Sequence, residues 1–182
     1  MAILVDIVGS LVIAGIVLLS ILGLNVNMNQ ATYNKTFSLV TQSNTVALAR
    51  MIEFDFAKIG YHSPKPMILT AGPDSISFKS DLGNNGTVHT IKYYLGSTST
   101  LAFTKNPNDR LLYRVQDGTV IPMNLGLTRF SLSYVDSSGF VTTKPDSIRG
   151  IYVAFDVQSS EPVDAAYCGA YWEKSFYPKN LK

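Results

Sequence analysis

The hydrophobic positions of this chain form two patterns, a continuous run near the N-terminus and alternating runs in the second half. Residues 7–24, IVGSLVIAGIVLLSILGL, contain no charged residue and no proline. At about 1.5 Å per residue, a helix of this length crosses most of a hydrocarbon core of roughly 30 Å. Because the run is apolar on every side, it predicts a membrane-spanning helix rather than a helix buried in a globular core.

The helical pattern continues after the hydrophobic run ends. Four apolar residues recur at the i, i+4, i+8 and i+11 spacing that defines one face of a helix, namely Leu48, Ile52, Phe56 and Ile59. Gly60 is suited to the residue that follows a helix, and the prolines at positions 64 and 66 prevent continuation. We therefore predict one helix from about Ala2 to Ile59, on the order of 85–90 Å long.

Beyond residue 66, short alternating runs lie between clusters of turn residues, which is the pattern of an antiparallel sheet. The predicted strands span residues 75–79, 88–95, 101–104, 111–115, 119–123, 127–135, 140–143, 148–157 and 176–181. The fold class predicted is therefore α+β, with a long N-terminal helix packed on an antiparallel β-sheet. The corresponding divisions are a transmembrane or filament-core segment at 1–26, an amphipathic half-helix at 27–60 and a globular sheet domain at 61–182.

Composition narrows the class of protein. The chain has 182 residues and a formal net charge of +2, which argues against a nucleic-acid-binding surface. Its single cysteine, Cys168, cannot form an internal disulfide. A secretory signal is disfavoured for the N-terminal run, because no Lys or Arg precedes Lys35 and the apolar stretch is long for a signal core.

Catalytic and metal-binding patterns are weak in this sequence. The two histidines, His62 and His89, have no partner at metal-ligand spacing, and Cys168 lacks the surroundings of a nucleophile. Residues 81–86, DLGNNG, faintly resemble the start of a calcium loop, but glycine stands at the third position and no glutamate at the twelfth, so a plain turn is favoured. We predict no catalytic residue, no metal site, no cofactor and no enzymatic activity.

Asp6 is the candidate functional residue that the sequence points to most directly. An acid in the apolar end of a membrane helix is costly, which makes a functional role the starting hypothesis. It could pair with the N-terminal amine of a neighbouring copy, or simply lie near the headgroups and the positive end of the helix dipole. Gly9 and Gly15 are candidate contact points for neighbouring helices, although glycines can also be incidental in a membrane helix.

Four segments, together with this helix pattern, resemble type IV pilins and pseudopilins, and in particular PilW-like minor pilins and the J-type minor pseudopilins of type II secretion. The segments are ARMIEFDFAKIGY at 49–61, RLLYR at 110–114, LTRFSLSY with DSSG at 127–139, and FYPKNL at 176–181. The first resembles the acidic, glycine-ending helix terminus of that group. The last resembles its terminal strand, with Lys179 where arginine is usual.

The N-terminus of this chain differs from the pilin pattern. Pilins begin with a short basic leader that is cut before a hydrophobic residue, and a glutamate stands fifth after the cut. Here no leader is seen and residue five is Val5. If Met1 is removed, Ala2 becomes the first residue and Asp6 the fifth, with aspartate in place of glutamate. Met1 and Ala2 are therefore included with Asp6, Gly9 and Gly15 as candidate assembly residues.

The resemblance implies a structural subunit that assembles through its N-terminal helix into a type IV pilus, a pseudopilus or a related filament. It implies pilin-like subunits, the membrane, an assembly ATPase and a platform protein as partners, with the helix in the cytoplasmic membrane and the sheet domain outside. The alternative is a non-polymerising, single-pass component of another envelope complex. A membrane-tethered enzyme is a weaker third hypothesis, because no catalytic constellation supports it.

Overall fold

A computed structural model describes residues 2–163 and 165–181 of the chain. One α-helix precedes seven strands and two short 3₁₀ turns, in the order α1 (Ala2–Ala57), β1 (Ile68–Ala71), β2 (Ser75–Ser80), β3 (His89–Leu95), a 3₁₀ turn (Thr98–Leu101), β4 (Arg110–Gln116), β5 (Thr119–Val135), a second 3₁₀ turn (Pro145–Ser147), β6 (Gly150–Gln158) and β7 (Gly169–Phe176). The predicted α+β class is confirmed. The internal contacts divide the chain into one unit that ends at Phe37 and a second that begins at Ser38.

The helix ends two residues before the predicted position. The amides of Lys58 and Ile59 donate to the carbonyls of Asp55 and Phe56, so the last turn tightens from the α to the 3₁₀ pattern. Gly60 has φ of +74° and donates its amide to the Lys79 carbonyl in β2. Gly60 thus takes the left-handed conformation expected of the residue that follows a helix.

The seven strands form one antiparallel sheet in which every strand pairs with its neighbours in sequence. The sheet curls, because the Pro73 carbonyl between β1 and β2 accepts the Leu132 amide of β5 at 2.7 Å. The Tyr134 hydroxyl adds a second connection by donating to the Gly72 carbonyl at 2.8 Å. These bonds satisfy backbone groups that a flat sheet would leave open.

Phe56 is the centre of the core in the second unit. Its ring lies 5.8 Å from that of Phe78, 5.8 Å from that of Tyr93 and 5.4 Å from that of Phe176. These three partners belong to β2, β3 and β7, so one side chain contacts both the first half of the sheet and its last strand. All four predicted helix-face residues are fully buried, namely Leu48, Ile52, Phe56 and Ile59.

Strand β5 is a single 17-residue strand where the sequence predicted two, at 119–123 and 127–135. Its first half pairs with β4 and its second half with β6, and Leu127 pairs with both neighbours. The register shifts next to Leu127 in both ladders, beside Gly126, which has φ of +71°. The glycine therefore bends one strand where the sequence pattern indicated an interruption.

Three further strand predictions were wrong. Residues 101–104 begin with the last residue of a 3₁₀ turn and form no strand, and the Ser97 side chain that accepts the Ser99 amide favours that turn. Residues 140–143 make only one isolated bridge, Val135 to Val141. The strand predicted at 176–181 is absent, because β7 ends at Phe176 and Pro178 follows. Strands β1 and β7 lie where the sequence predicted no complete strand.

We expect Gly126→Ala to lower the free energy of unfolding by about 3 kcal/mol, because the backbone is left-handed there and an added Cβ would lie 2.3 Å from the Gln158 carbonyl oxygen. Gly118→Ala is the matched control. Gly118 also has a positive φ, of +86°, but its added Cβ meets no atom within 4 Å, so about 1 kcal/mol is expected. Denaturant unfolding compares the two, and equal losses would show that the contact with Gln158 is unimportant.

Candidate assembly site

The first unit presents a helix whose large apolar side chains are all exposed. Every Ile, Leu and Val from Ile3 to Leu24 is more than 50% exposed. The helix is long and apolar enough to cross a membrane, and none of its most apolar stretch is buried by the rest of the chain. This surface requires lipid or other helices to remove it from water.

Asp6 lies within this apolar surface. Its side chain is exposed, with Ile3 and Ile7 beside it along the helix. The Ser10 hydroxyl donates to the Asp6 backbone carbonyl at 2.8 Å, which leaves the carboxylate oxygens unaffected. Of the other predicted terminal site residues, Met1 lies outside the described residues and Ala2 begins the helix.

Gly9 and Gly15 leave the helix backbone open to a close neighbour. A Cβ added at either position would meet no atom within 4 Å. Small residues allow helix backbones to approach closely, which is a principal source of packing between helices in a membrane. Their placement is compatible with the predicted helix contacts.

In the second unit the helix buries one side against the sheet and exposes several large apolar side chains, among polar ones, on the other. Beneath it, Leu48 and Ile52 are buried against the sheet. On the outside, Val46 and Phe54 are 48% and 53% exposed, and the Lys58 ammonium lies 4.1 Å from the centre of the Phe54 ring. We call Leu39, Val40, Val46 and Phe54 the outer stripe; these side chains are all at least 48% exposed.

A buried carboxylate fixes the helix to the sheet. Asp55 is 2% exposed, and its Oδ2 accepts one hydrogen bond from the Tyr93 hydroxyl at 2.5 Å and another from Arg114 Nε at 2.7 Å. Arg114 also donates from a terminal nitrogen to the Gln116 side chain at 3.0 Å. Tyr93 lies in β3 and Arg114 in β4, so one helical acid is bonded to two adjacent strands.

The electrostatics of this cluster follow from its burial. Desolvation and the adjacent Asp55 carboxylate raise the pKa of Tyr93 well above its usual value, so the phenol stays protonated and donates. Burial opposes the charge of Arg114, but the hydrogen bond and charge of Asp55 outweigh it and raise the arginine pKa. Tyr93 therefore donates, Arg114 stays charged, and loss of Arg114 would leave the buried Asp55 carboxyl group without its charged partner.

The segments that carry the family resemblance meet at this end of the helix. The Asp55–Arg114 bond joins 49–61 to 110–114. Arg110 pairs with Leu127 across β4 and β5, which joins 110–114 to 127–139. Asn180 donates to the Ile59 carbonyl at 3.2 Å, which joins 176–181 to 49–61. Asp55 was not predicted as a site residue, although an acid next to the predicted buried helix face is a sequence signal of a buried partner.

The histidines lie in separate, local contacts. His62 Nδ1 is 3.7 Å from Asp81, and His89 Nδ1 is 2.5 Å from Asp117. The hydrogen bond from His89, with a further one from the Thr90 amide, lowers the pKa of Asp117. Among the described residues, no group of three His, Cys, Asp or Glu side chains could hold a metal ion. Neither contact forms a catalytic arrangement with a nucleophile.

Comparison with known proteins gives no assignment. No protein-family model matches the chain, and no curated protein sequence matches it. The features that bear on function are the exposed helix, the buried cluster at its end and the segments quoted above.

We expect Arg114→Met to lower the free energy of unfolding by about 3–5 kcal/mol, because it leaves the Asp55 carboxylate buried without its charged partner. The double variant Asp55→Leu with Arg114→Met removes both charges and should lose less than Arg114→Met alone. Denaturant unfolding of the full chain in detergent measures both. A double variant that is less stable than the single one would contradict the dominant role of the uncompensated charge.

Proposed function

We propose that this chain is a pilin-like structural subunit, which is anchored by its N-terminal helix and assembles through that helix with other pilin-like subunits into a filament. The observation that supports the proposal is the extent of the exposed apolar surface. A bilayer covers about 20 helical residues, which from Ile3 would end near Leu22. The exposed apolar positions continue past this point through Val26 and Met28 to the outer stripe.

The outer stripe favours assembly over anchoring alone. A simple anchor needs an apolar surface only where lipid covers it, and the helix beyond the membrane would then be polar on its free side. Here Val46 and Phe54 are exposed on the same helix whose opposite face packs against the sheet. Packing against helices of neighbouring subunits would cover both the membrane-spanning stretch that begins at Ile3 and the outer stripe with one type of contact.

The buried cluster at Asp55 would give such a subunit its rigidity. A helix that packs in a filament holds its globular domain in place only if the two are firmly joined. Asp55 makes that join with two hydrogen bonds to adjacent strands, and Lys174 adds a surface ion pair with Glu53 at 2.8 Å. The surface pair contributes little by itself, so the buried bonds determine the connection.

Asp6 would then set the register between subunits. Within an apolar helix bundle, a carboxylate is most stable next to a positive charge, and the N-terminal amine of an adjacent copy is the group that a staggered packing brings to it. Gly9 and Gly15 would allow the backbones to approach beside this pair. On this proposal the membrane, other pilin-like subunits and an assembly ATPase with its platform protein are the partners.

Phe54→Ser tests the proposal outside the membrane-length segment. We expect it to reduce incorporation into sheared surface filaments at least fivefold, with the folded subunit still present in the membrane. Phe103→Ser is the matched control, since Phe103 is 81% exposed and lies in the loop before β4 rather than in the helix. Immunoblots of the sheared and membrane fractions from the native cells give the comparison.

If both variants behave as the wild type and no sheared fraction contains the protein, the non-polymerising anchor replaces the filament subunit. That alternative predicts a chain that remains in the membrane fraction whatever stands at position 54. A loss with Phe103→Ser equal to that with Phe54→Ser would instead show that exposed phenylalanines in general, rather than the outer stripe, affect assembly.

We expect Asp6→Ala to leave the sheet domain folded but to reduce filament incorporation at least tenfold, because the apolar bundle loses the partner of the buried amine. Asp6→Glu keeps the charge and should retain most incorporation. Circular dichroism checks the fold and the sheared fraction checks assembly. Normal incorporation of Asp6→Ala would remove the role proposed for this carboxylate.

A further inference from the structure

Arg50 lies on the exposed side of the helix in the second unit. It follows Val46 by four residues and precedes Phe54 by four, and all three side chains are exposed. Positions four apart in a helix lie one above the other on the same face. A cation therefore lies between two large apolar side chains of the outer stripe.

The other charged side chains at this end of the helix already have partners within the chain. Glu53 accepts a hydrogen bond from Lys174 Nζ at 2.8 Å, and Asp55 is bonded to β3 and β4. Lys58 donates to the Leu82 carbonyl at 2.6 Å. These charges are therefore neutralised or hydrogen-bonded before any second subunit approaches.

Arg50 differs from them in its surroundings. Within residues 2–163 and 165–181, no ion pair joins its guanidinium to an acidic side chain. Water satisfies the N–H donors of an exposed guanidinium, but a subunit that covered Val46 and Phe54 would displace this water. A desolvated guanidinium without an acceptor is costly, so the covering surface is expected to supply one beside Arg50.

A carboxylate is the acceptor that fits an arginine best. It carries the opposite charge and accepts two parallel N–H bonds from the planar guanidinium. A neutral amide or carbonyl oxygen would satisfy a donor but leave the charge without a counterion. Charge complementarity of this kind distinguishes one partner from others that have similar apolar surfaces.

The helix of a second copy of this chain offers no free carboxylate for Arg50. It contains three acids, namely Asp6, Glu53 and Asp55. Asp55 is 2% exposed and Glu53 already forms its surface ion pair. Asp6 lies in the apolar segment near the N-terminus, where on the proposed function it pairs with an amine. Two copies that met through their helices would therefore leave Arg50 without an acidic partner.

We propose that Arg50 selects the neighbouring subunit, and that the outer stripe packs against the helix of a pilin-like subunit of different sequence, which carries an Asp or Glu level with Arg50. This inference rests on the proposed function, because it needs a neighbouring helix on the outer stripe. It adds that this contact is heteromeric. The apolar side chains supply most of the burial, and the ion pair determines which subunit fits.

Charge reversal tests the role of Arg50 in the native cells. Arg50→Glu should reduce incorporation into sheared filaments at least tenfold, because two carboxylates then face each other. Arg50→Lys keeps the charge and should retain most incorporation. Lys144→Glu is the matched control, since Lys144 is also exposed but lies just before the second 3₁₀ turn rather than in the helix. It should assemble as the wild type does, and circular dichroism should show that all three variants fold.

Phe54→Ser, measured in the same cells, separates this inference from the proposed function. If Phe54→Ser lowers incorporation and Arg50→Glu does not, the chain is a filament subunit but Arg50 does not select its neighbour, and the inference is wrong. Equal losses with Arg50→Glu and Lys144→Glu also overturn it. If the wild type itself is absent from the sheared fraction, the proposed function fails and the inference fails with it.

Photo-cross-linking identifies the neighbour. Val46→p-benzoylphenylalanine keeps an apolar side chain on the same helix face as Arg50. In the native cells it should cross-link to the helix of a pilin-like subunit of different sequence, in a peptide that contains an Asp or Glu. Replacing that acid by Arg in the partner should restore the incorporation of Arg50→Glu to within threefold of the wild type. A cross-link between two copies of this chain, no cross-link to a pilin-like helix, or no restoration overturns the proposal.

Discussion

The bond between Asp55 and Arg114 is the interaction on which the second unit most depends. The helix carries large apolar side chains on its exposed side as well as on its buried side, so apolar contact is not the only factor that orients it. The buried carboxylate determines the rotation of the helix on the sheet, because only one rotation brings Asp55 to Tyr93 and Arg114. Hydrophobic contacts such as those of Phe56 supply most of the burial, while the ion pair selects the orientation that leaves Val46 and Phe54 outside.

The two parts of the helix differ in what they contact, and this difference is the physical basis of the proposed function. Residues 3–24 expose an apolar surface, and the later turns pack one face against the sheet and, on our proposal, the other against a neighbouring subunit. The buried cluster at Asp55 fixes the rotation of the helix on the sheet, so the exposed face of the later turns has a fixed direction relative to the sheet. A filament contact can then be specific although its side chains are ordinary Val, Leu and Phe, since direction and register are set by Asp55 and, on our proposal, by Asp6.

Much of the fold could be predicted from the sequence, because its signals are local. The periodicity of Leu48, Ile52 and Phe56 and the turn residues around Gly60 were sufficient for the helix. The errors in the predicted strands arose where tertiary contacts, rather than local sequence, determine the structure. Gly126 keeps β5 continuous through its packing against β6, and the Asp109 carboxylate is buried by a loop that local pattern assigned to a strand and a turn. In the candidate assembly site, Asp6, Gly9 and Gly15 were predicted from the sequence. The outer stripe could be recognised only once the structure showed which face of the helix is buried against the sheet.

Strand β5 has a consequence for cooperativity. Because Leu127 pairs with both β4 and β6, the two halves of the sheet share one continuous strand rather than a flexible connection. Neither ladder can open fully without disturbing the backbone of the other. The sheet domain therefore behaves as one cooperative unit, in which a local loss at either end spreads through the middle strand to the whole.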